Sequence, residues 1–307
     1  IIINTVLSAT QVQVTRAVGT VAAANISAAV ALYQVGNAYE ESSLRPQSLI
    51  INPVRITNLT QIFRNTWAIS DTIRATQMIA GETNISESRQ DCAAFHAADI
   101  EKALFFGQKS QGTRNGQPFR TMDGLVNIVG NLTYYPSYYA AANSNTAGAT
   151  TNYTQFEGFL DPCFNQATDP KVANERVLFV GGTAKRVINN IGRLNGTYYM
   201  VDGQTTWGLQ FSTIKTARGQ FRVIEHPLFN SNTSWSKLAV AVDLTTFRVA
   251  YLGDRKTQNK EFNGEAMAAD DSGIDAVGGT LTTEMTCVVK NPPANSIIFN
   301  LTAAAAG

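Results

Sequence analysis

A chain of 307 residues is long enough to bury one large core or two moderate ones. Its 24 Lys and Arg face 23 Asp and Glu, a formal net charge of +1, which argues against a dedicated nucleic-acid reader with a cationic face. Charged residues make up only 15%, against about 25% in ordinary soluble domains, and a surface so poor in charge suits a subunit covered by neighbours better than a free monomer.

Cys92, Cys163 and Cys287 are far apart and odd in number, so neither a disulfide scaffold nor a cysteine metal site is expected. The N-terminus lacks a charged start, apolar core and small-residue cleavage site, and the Ala-rich stretch from Val18 to Gly36 is interrupted by Thr20, Asn25 and Ser27. Export and membrane insertion are therefore not expected, and a soluble protein of a reducing compartment is. The chain opens on Ile1 without methionine, which processing or a missing start would explain.

In chain order, residues 1–40 are small, apolar and charged only at Arg16 and Glu40, with no sustained period. They predict an arm that cannot form its own core and lies across something else. Two β-rich runs, 49–57 and 61–70, flank Asn58-Leu59-Thr60 and predict a hairpin. In the second run Ile62, Arg64 and Thr66 face one way, and Phe63, Asn65, Trp67 and Ile69 the other. Pro53 suits an edge strand, and a lone hairpin needs a packing partner.

Residues 83–106 contain no Gly or Pro and predict a helix of roughly 36 Å closed by Gly107. Ile85, Cys92, Phe95, Ile100, Leu104 and Phe106 spread around its axis, a pattern for a helix laid on a sheet. Residues 108–119, with Gly112 and Gly116, read as a flexible connection, and Lys109, Arg114 and Arg120 as candidates for contacts with subunits or DNA. A second helix is predicted from the capping box Thr154–Glu157, with Phe156, Phe159, Leu160, Cys163, Phe164 and Ala167 at helical spacing, and Pro162 should kink or split it. A strand at 176–180, the Gly181-Gly182 turn and a helix over 183–194 follow, with Val187, Ile188, Ile191 and Leu194 on one face. The remainder reads as strands at 220–225, 237–242, 247–252 and 280–290, the last with Leu281, Thr283, Met285, Cys287 and Val289 on its core face. The fold class is α+β.

No catalytic, cofactor or metal constellation is expected. His96 and His226 are the only histidines, and neither has a nucleophile or carboxylate motif beside it. The turn from Gly181 to Lys185 has the strand, glycines and helix of a phosphate site, but its adjacent glycines lack the spacing of a Walker loop and suit a tight turn better. Asp270, Asp271 and Asp275 lack calcium-loop spacing and read as a solvated turn. Tyr134, Tyr135, Tyr138 and Tyr139 have no accompanying cation between Arg120 and Lys171, which favours packing over base stacking.

The order of elements, a small-residue arm, a hairpin, a long helix, an inserted α/β unit and a returning strand, resembles the major capsid proteins of tailed double-stranded DNA phages, the Hong-Kong-97-like fold. Residues 58–75 look like the second half of that family's extended loop. Residues 83–107, ending Glu101-Lys-Ala-Leu-Phe-Phe-Gly107, resemble its spine helix, and Arg120-Thr-Met-Asp-Gly-Leu125 the segment after it. Trp207-Gly-Leu209 and residues 219–225, 238–243 and 284–293 follow in the family's order.

The resemblance implies an N-terminal arm (1–40), an extended β-hairpin loop (41–81), a peripheral domain with the spine helix (82–144), an axial domain (145–254) and returning peripheral strands (255–307). It implies a non-enzymatic head protein that self-assembles into hexamers and pentamers around packaged DNA, in virions assembled in the host cytoplasm. The DNA would be contacted without sequence specificity, for which a near-neutral charge is suited. Scaffolding, portal and decoration proteins are implied as further partners, with no membrane and no cofactor. Arg55, Asn58, Gln61, Arg64 and Trp67 are the candidate intersubunit contacts on the loop. Some members cross-link through a lysine there; this chain has arginines but no lysine between Glu40 and Gly81, and a guanidinium does not replace the amine, so a noncovalent shell is expected. Two alternatives stand beside this reading: an encapsulin-type compartment on the same fold, and a nucleotide-binding enzyme using the Gly181–Lys185 turn.

Overall fold

The computed structural model describes residues 1–8, 10–20, 22–27, 33, 35–39, 41–45, 56–76, 84–130, 143–165, 175–194, 213–263 and 276–306. The chain divides into two units, Ile1–Val54 and Arg55–Gly307.

In the first unit, β1 (Ile2–Ser8) and β2 (Gln11–Thr15) form an antiparallel hairpin, with Asn4 Nδ2 donating to Thr15 Oγ1 at 2.8 Å. The β-branched run Ile-Ile-Asn-Thr-Val favours a strand locally even though it lacks a two-residue alternation. Val14 is half-buried, and the other residues up to 45 whose side chains the structure describes are exposed. The expected absence of a private core thus coexists with unexpected local structure.

The second unit is built around two sheets. β3 (Gln61–Ser70), followed directly by the short helix α1 (Asp71–Ala75), pairs along its whole length with β13 (Ala276–Val289), the longest described strand. β12 (Gln258–Asn263) pairs with the first part of β13, and β11 (Phe247–Tyr251) with its last part. The expected alternation of β3 holds: Phe63, Trp67 and Ile69 are buried, while Ile62, Arg64 and Thr66 are exposed. Its described partner, however, lies more than 200 residues away, because a long strand with a continuous apolar face offers more burial than a local hairpin. Most of the run 49–57 lies outside the described residues.

The second sheet has six strands. β6 (Ser144–Thr146) runs parallel to β14 (Ser296–Phe299), which is antiparallel to β10 (Ala239–Val242); β10 is antiparallel to β7 (Glu175–Val180), which is parallel to β9 (Gln220–Glu225). The short β8 (Thr213–Lys215) closes the far edge. Side-chain alternation sorts this sheet into two faces. Leu178, Val180, Ala239, Ala241 and Ile298 point to a core filled by α4 (Tyr153–Leu160) and α5 (Gly182–Leu194). Phe179, Val240, Val242 and Ile297 point to a second core, filled by the end of α2 (Asn84–Phe106), by α3 (Leu125–Gly130) and by the end of β13. All four residues of β10 are buried, half in each core. The strands β6, β8, β12 and β14 were too short or too polar to show a sequence period.

Helix α2 spans 23 residues and packs on β3, as its scattered apolar positions suggested. Gly107 does not adopt the left-handed conformation of a usual cap. It is needed because the chain crosses itself there: a Cβ on Gly107 would meet the Met122 carbonyl at 2.6 Å, and one on Gly124 the Gly107 nitrogen at 2.5 Å. Gly124 N donates to Gly107 O at 2.9 Å.

The segment between these glycines is not a flexible connection. It is a hairpin of β4 (Ser110–Arg114) and β5 (Gln117–Thr121), turned at Asn115 (φ 52°) and Gly116 (φ 74°). Two successive left-handed residues make the tight turn that suits strand twist, and the Asn-Gly pair is its sequence signal. Helix α4 begins two residues earlier than the predicted box: Asn152 caps it, accepting from Gln155 N at 2.9 Å, and Gln155 Oε1 accepts from Asn152 N. Pro162 splits it as expected, leaving a 3-10 turn at Asp161–Phe164.

Candidate assembly surface

The second unit begins on a tightly held strip. Asn58 Nδ2 donates to the Asp123 carbonyl at 3.0 Å and the Cys287 carbonyl at 2.9 Å, while its Oδ1 accepts from Asp123 N at 2.8 Å. Gln61 Oε1 accepts from Met122 N at 3.1 Å, Lys109 Nζ donates to the Thr57 carbonyl at 2.6 Å, and Thr60 Oγ1 donates to Glu284 at 3.1 Å. Short polar side chains here replace a sheet ladder, because residues 56–60 belong to no strand. Of the loop residues singled out from sequence, Asn58 and Gln61 bond within the subunit, and Trp67 is only 5% exposed. Arg64 faces solvent beside exposed Ile62, and Arg55 lies outside the described residues.

Trp67 is seated opposite Gly279 in the β3–β13 register, and a Cβ at Gly279 would lie 2.9 Å from its Nε1. The Arg89 guanidinium of α2 stacks over the indole, 5.4 Å from its centre, and pairs with Glu261 on β12. These contacts clamp helix to sheet.

His96, on the sheet-facing side of α2, joins three elements. Asn65 Nδ2 donates to Asp99 Oδ2 at 3.2 Å, which leaves Asn65 Oδ1 to accept from His96 Nδ1 at 2.7 Å. The Nε2 lone pair then accepts from Thr283 Oγ1 at 2.8 Å. Burial pushes the His96 pKa down, against a smaller upward pull from Asp99. His226 hydrogen-bonds Glu101 through Nε2 at 2.7 Å and sits among Phe105, Phe179 and Phe229. Both histidines thus connect elements that are distant in the chain.

The Gly181–Lys185 turn is occupied by its own chain. A Cβ on Gly181 would strike the Ser236 backbone at 2.5 Å, so its glycine serves a close approach. Gly182 N donates to Asn230 Oδ1 at 2.7 Å, and Lys185 Nζ pairs with Glu225 Oε2 at 2.9 Å. Lys185 and Asn230 bonds hold the Glu225 carboxyl below its usual range. The Gly182 N–H and the Lys185 ammonium, on which the nucleotide reading drew, are thus engaged within the subunit. Among the described residues no cluster of metal-ligating side chains occurs. No described helix is long and apolar enough to cross a membrane. The acidic run at 268–275 and the tyrosine tract at 134–139 lie outside the described residues.

The described surface offers an exposed hairpin, a solvent-facing side of β3 and a long helix flank. This architecture is that of the Hong-Kong-97-like capsid proteins, and solved members share it at low sequence identity. A solved structure of Mycobacterium phage Patience matches with a TM-score of 0.52 at 13% identity, over 90% of this chain and 78% of its own. The satellite phage P4 procapsid matches at 0.50 and 12%, over 92% and 83%, and the SrpI encapsulin of Synechococcus elongatus at 0.50 and 8%, over 80% and 75%. The chain belongs to the SU10 major capsid protein family, whose pattern matches residues 4–302. The major capsid protein of Pseudomonas phage PaMx41 is 36% identical over 299 residues, covering 94% of this chain and 70% of that relative. The chain is therefore a phage head protein with a structural role, a component of the virion.

Proposed function

We propose that many copies of this chain close into an icosahedral shell of hexamers and pentamers around double-stranded DNA in the host cytoplasm. Residues 82–144 and 255–307 would form its peripheral domain and 145–254 its axial domain, with the arm (1–40) and loop (41–81) reaching neighbouring subunits. The observation that carries this reading is the near-complete exposure of the first unit. Among the described residues of that unit Val35, Leu44 and Tyr33 are 102%, 93% and 86% exposed, apolar surface that a neighbouring copy in a shell would cover. Apolar burial on assembly would offset the entropy cost of ordering it. On the loop, Arg64 with Ile62 makes the outward contact, while Asn58, Gln61 and Trp67 hold the strand that presents it. Packaged DNA is contacted without base readout, and scaffolding, portal and decoration proteins are further partners.

Negative-stain microscopy of the expressed protein, with and without scaffold, should show closed particles. Monomers alone under all assembly conditions would refute the reading. Nucleic acid inside particles from infected cells separates a phage head from a cargo-protein compartment; protein cargo without DNA would reverse the assignment. Mature particles should dissolve to single subunits on a denaturing gel, and a ladder of cross-linked species would refute a noncovalent shell.

A further inference from the structure

A concavity of about 560 Å³ lies between α5 and the C-terminal segment, lined by Arg186, Asn190, Arg193 and Leu194 on the helix and by Thr302 to Ala304. The segment is held rigidly, with Thr151 N donating to Ala303 O and Ala305 N to Thr151 O, both at 2.9 Å. Helix α5 contains no acidic residue, and Lys185, its other cation, is bound to Glu225. Arg186 and Arg193 are exposed, have no ion pair among the described residues, and stand seven positions apart, about 10.5 Å along the axis. Leu194 beside them is 52% exposed. The cleft therefore combines two unpartnered guanidinium groups with an apolar wall.

The complementary surface is on α2. Glu87, Asp91 and Phe95 recur every four residues on one flank, and all three are exposed, Phe95 by 67%. The other acids of α2 are engaged: Asp99 with Asn65 and Lys102, Glu101 with His226. Glu87 and Asp91 have no basic partner among the described residues. Phe95 is a large aromatic in the middle of a helix whose buried side is supplied by Cys92 and His96, so packing within the subunit does not account for it.

One copy cannot join these two surfaces. The sheet alternation puts α5 on one face of the six-stranded sheet and the packed end of α2 on the other. We infer that the α5 cleft receives the Glu87–Asp91–Phe95 flank of α2 from a second copy, Phe95 against Leu194 and the alanines, and the carboxylates against Arg186 and Arg193. The contact uses different patches on its two sides, so it propagates from copy to copy and closes when the rotation closes. It rests on the shell reading and specifies one of its interfaces. A duplex presents phosphates to such a surface and would leave Leu194 and the alanines of this cleft without an apolar partner.

The test uses the full chain. Arg186→Glu with Arg193→Glu should raise the protein concentration needed for assembly by about tenfold or more, as should Glu87→Arg with Asp91→Arg, and mixing the two reversed chains should restore it. In assembled particles, an Asp91→Cys chain mixed with an Arg193→Cys chain should give an oxidised heterodimer. This readout does not depend on charge reversal being tolerated in folding. Wild-type particles with no heterodimer and unaltered assembly of both reversed chains would overturn the contact while leaving the shell reading intact. Normal assembly with loss of DNA from the arginine variant would overturn it in favour of a nucleic-acid site. Absence of wild-type particles would overturn both readings.

Discussion

Replacing Arg176 by methionine should cost the unassembled subunit about 3–5 kcal/mol, the usual penalty for breaking a buried ion pair from one side. The guanidinium is fully buried, 3.6 Å from Asp243 Oδ2, and Asp243 is itself only 4% exposed. It donates to the Ala294 carbonyl at 3.2 Å, the Glu175 carbonyl at 2.8 Å and the Cys163 carbonyl at 3.5 Å, and lies over the Phe164 ring. Methionine fills much of the volume but leaves three carbonyls and a carboxylate without that donor. Asp243→Asn should be milder, about 1–2 kcal/mol, because Thr245 N and Oγ1 still bond its Oδ1, at 3.0 Å and 2.6 Å, and Arg176 keeps its carbonyls. In the double variant no unpaired charge remains, so its loss should fall short of the sum by about 1 kcal/mol or more. Urea unfolding at neutral pH, with the m-value checked for two-state behaviour, reads all four proteins. A loss under about 1 kcal/mol for Arg176→Met, or strict additivity in the double variant, would refute the argument.

Three more outcomes follow from particular contacts. His96 is held neutral by burial, so its folded pKa lies below its unfolded value of 6.5. The unfolded chain takes up the proton first. Stability should therefore be unaffected by His96 well above 6.5 and fall by up to about 1.4 kcal/mol per pH unit below it, until the folded pKa is passed; a His96→Gln variant with an identical slope would contradict this. Burial pushes the Cys163 and Cys287 thiols up to about 12, so neither should react with a thiol reagent at pH 8 until the protein is denatured, and rapid labelling of the native subunit would overturn that assignment. Gly124→Ala would place a Cβ 2.5 Å from the Gly107 nitrogen and should destabilise by at least about 2 kcal/mol, while Gly112→Ala, with open space around it, should stay within about 1 kcal/mol of wild type in the same unfolding assay.

The long elements were legible because their patterns are long. The uninterrupted run ending at Gly107, the alternation in 280–290 and the apolar face of α5 each extend over enough positions for one period to dominate. The pairing of β3 with β13 was not legible, since nothing local states that a strand's partner is two hundred residues away. The β4–β5 hairpin was legible in principle: Asn115-Gly116 is a two-residue turn signal, but the flanking strands are polar on both sides and supply no alternation to confirm it. Among the loop residues, the sequence offered Asn58, Gln61 and Trp67 as intersubunit contacts, whereas within the subunit they bond or pack internally. Asn58 bonds to two carbonyls 164 positions apart in the chain, a role no spacing encodes. Arg176, in a run that otherwise reads as plain core strand, gave no sign of its buried partner Asp243.

The strand β10 has a mechanical consequence. Ala239 and Ala241 close one core and Val240 and Val242 the other, so a single four-residue wall is common to both compartments. Widening either compartment moves that wall into its neighbour, and tightly packed interiors transmit such displacement rather than absorb it. The body between α5 and α2 must then tilt as one rigid panel. In the proposed shell of hexamers and pentamers, differences in curvature would then be taken up outside that panel, for example at the exposed β4–β5 hairpin.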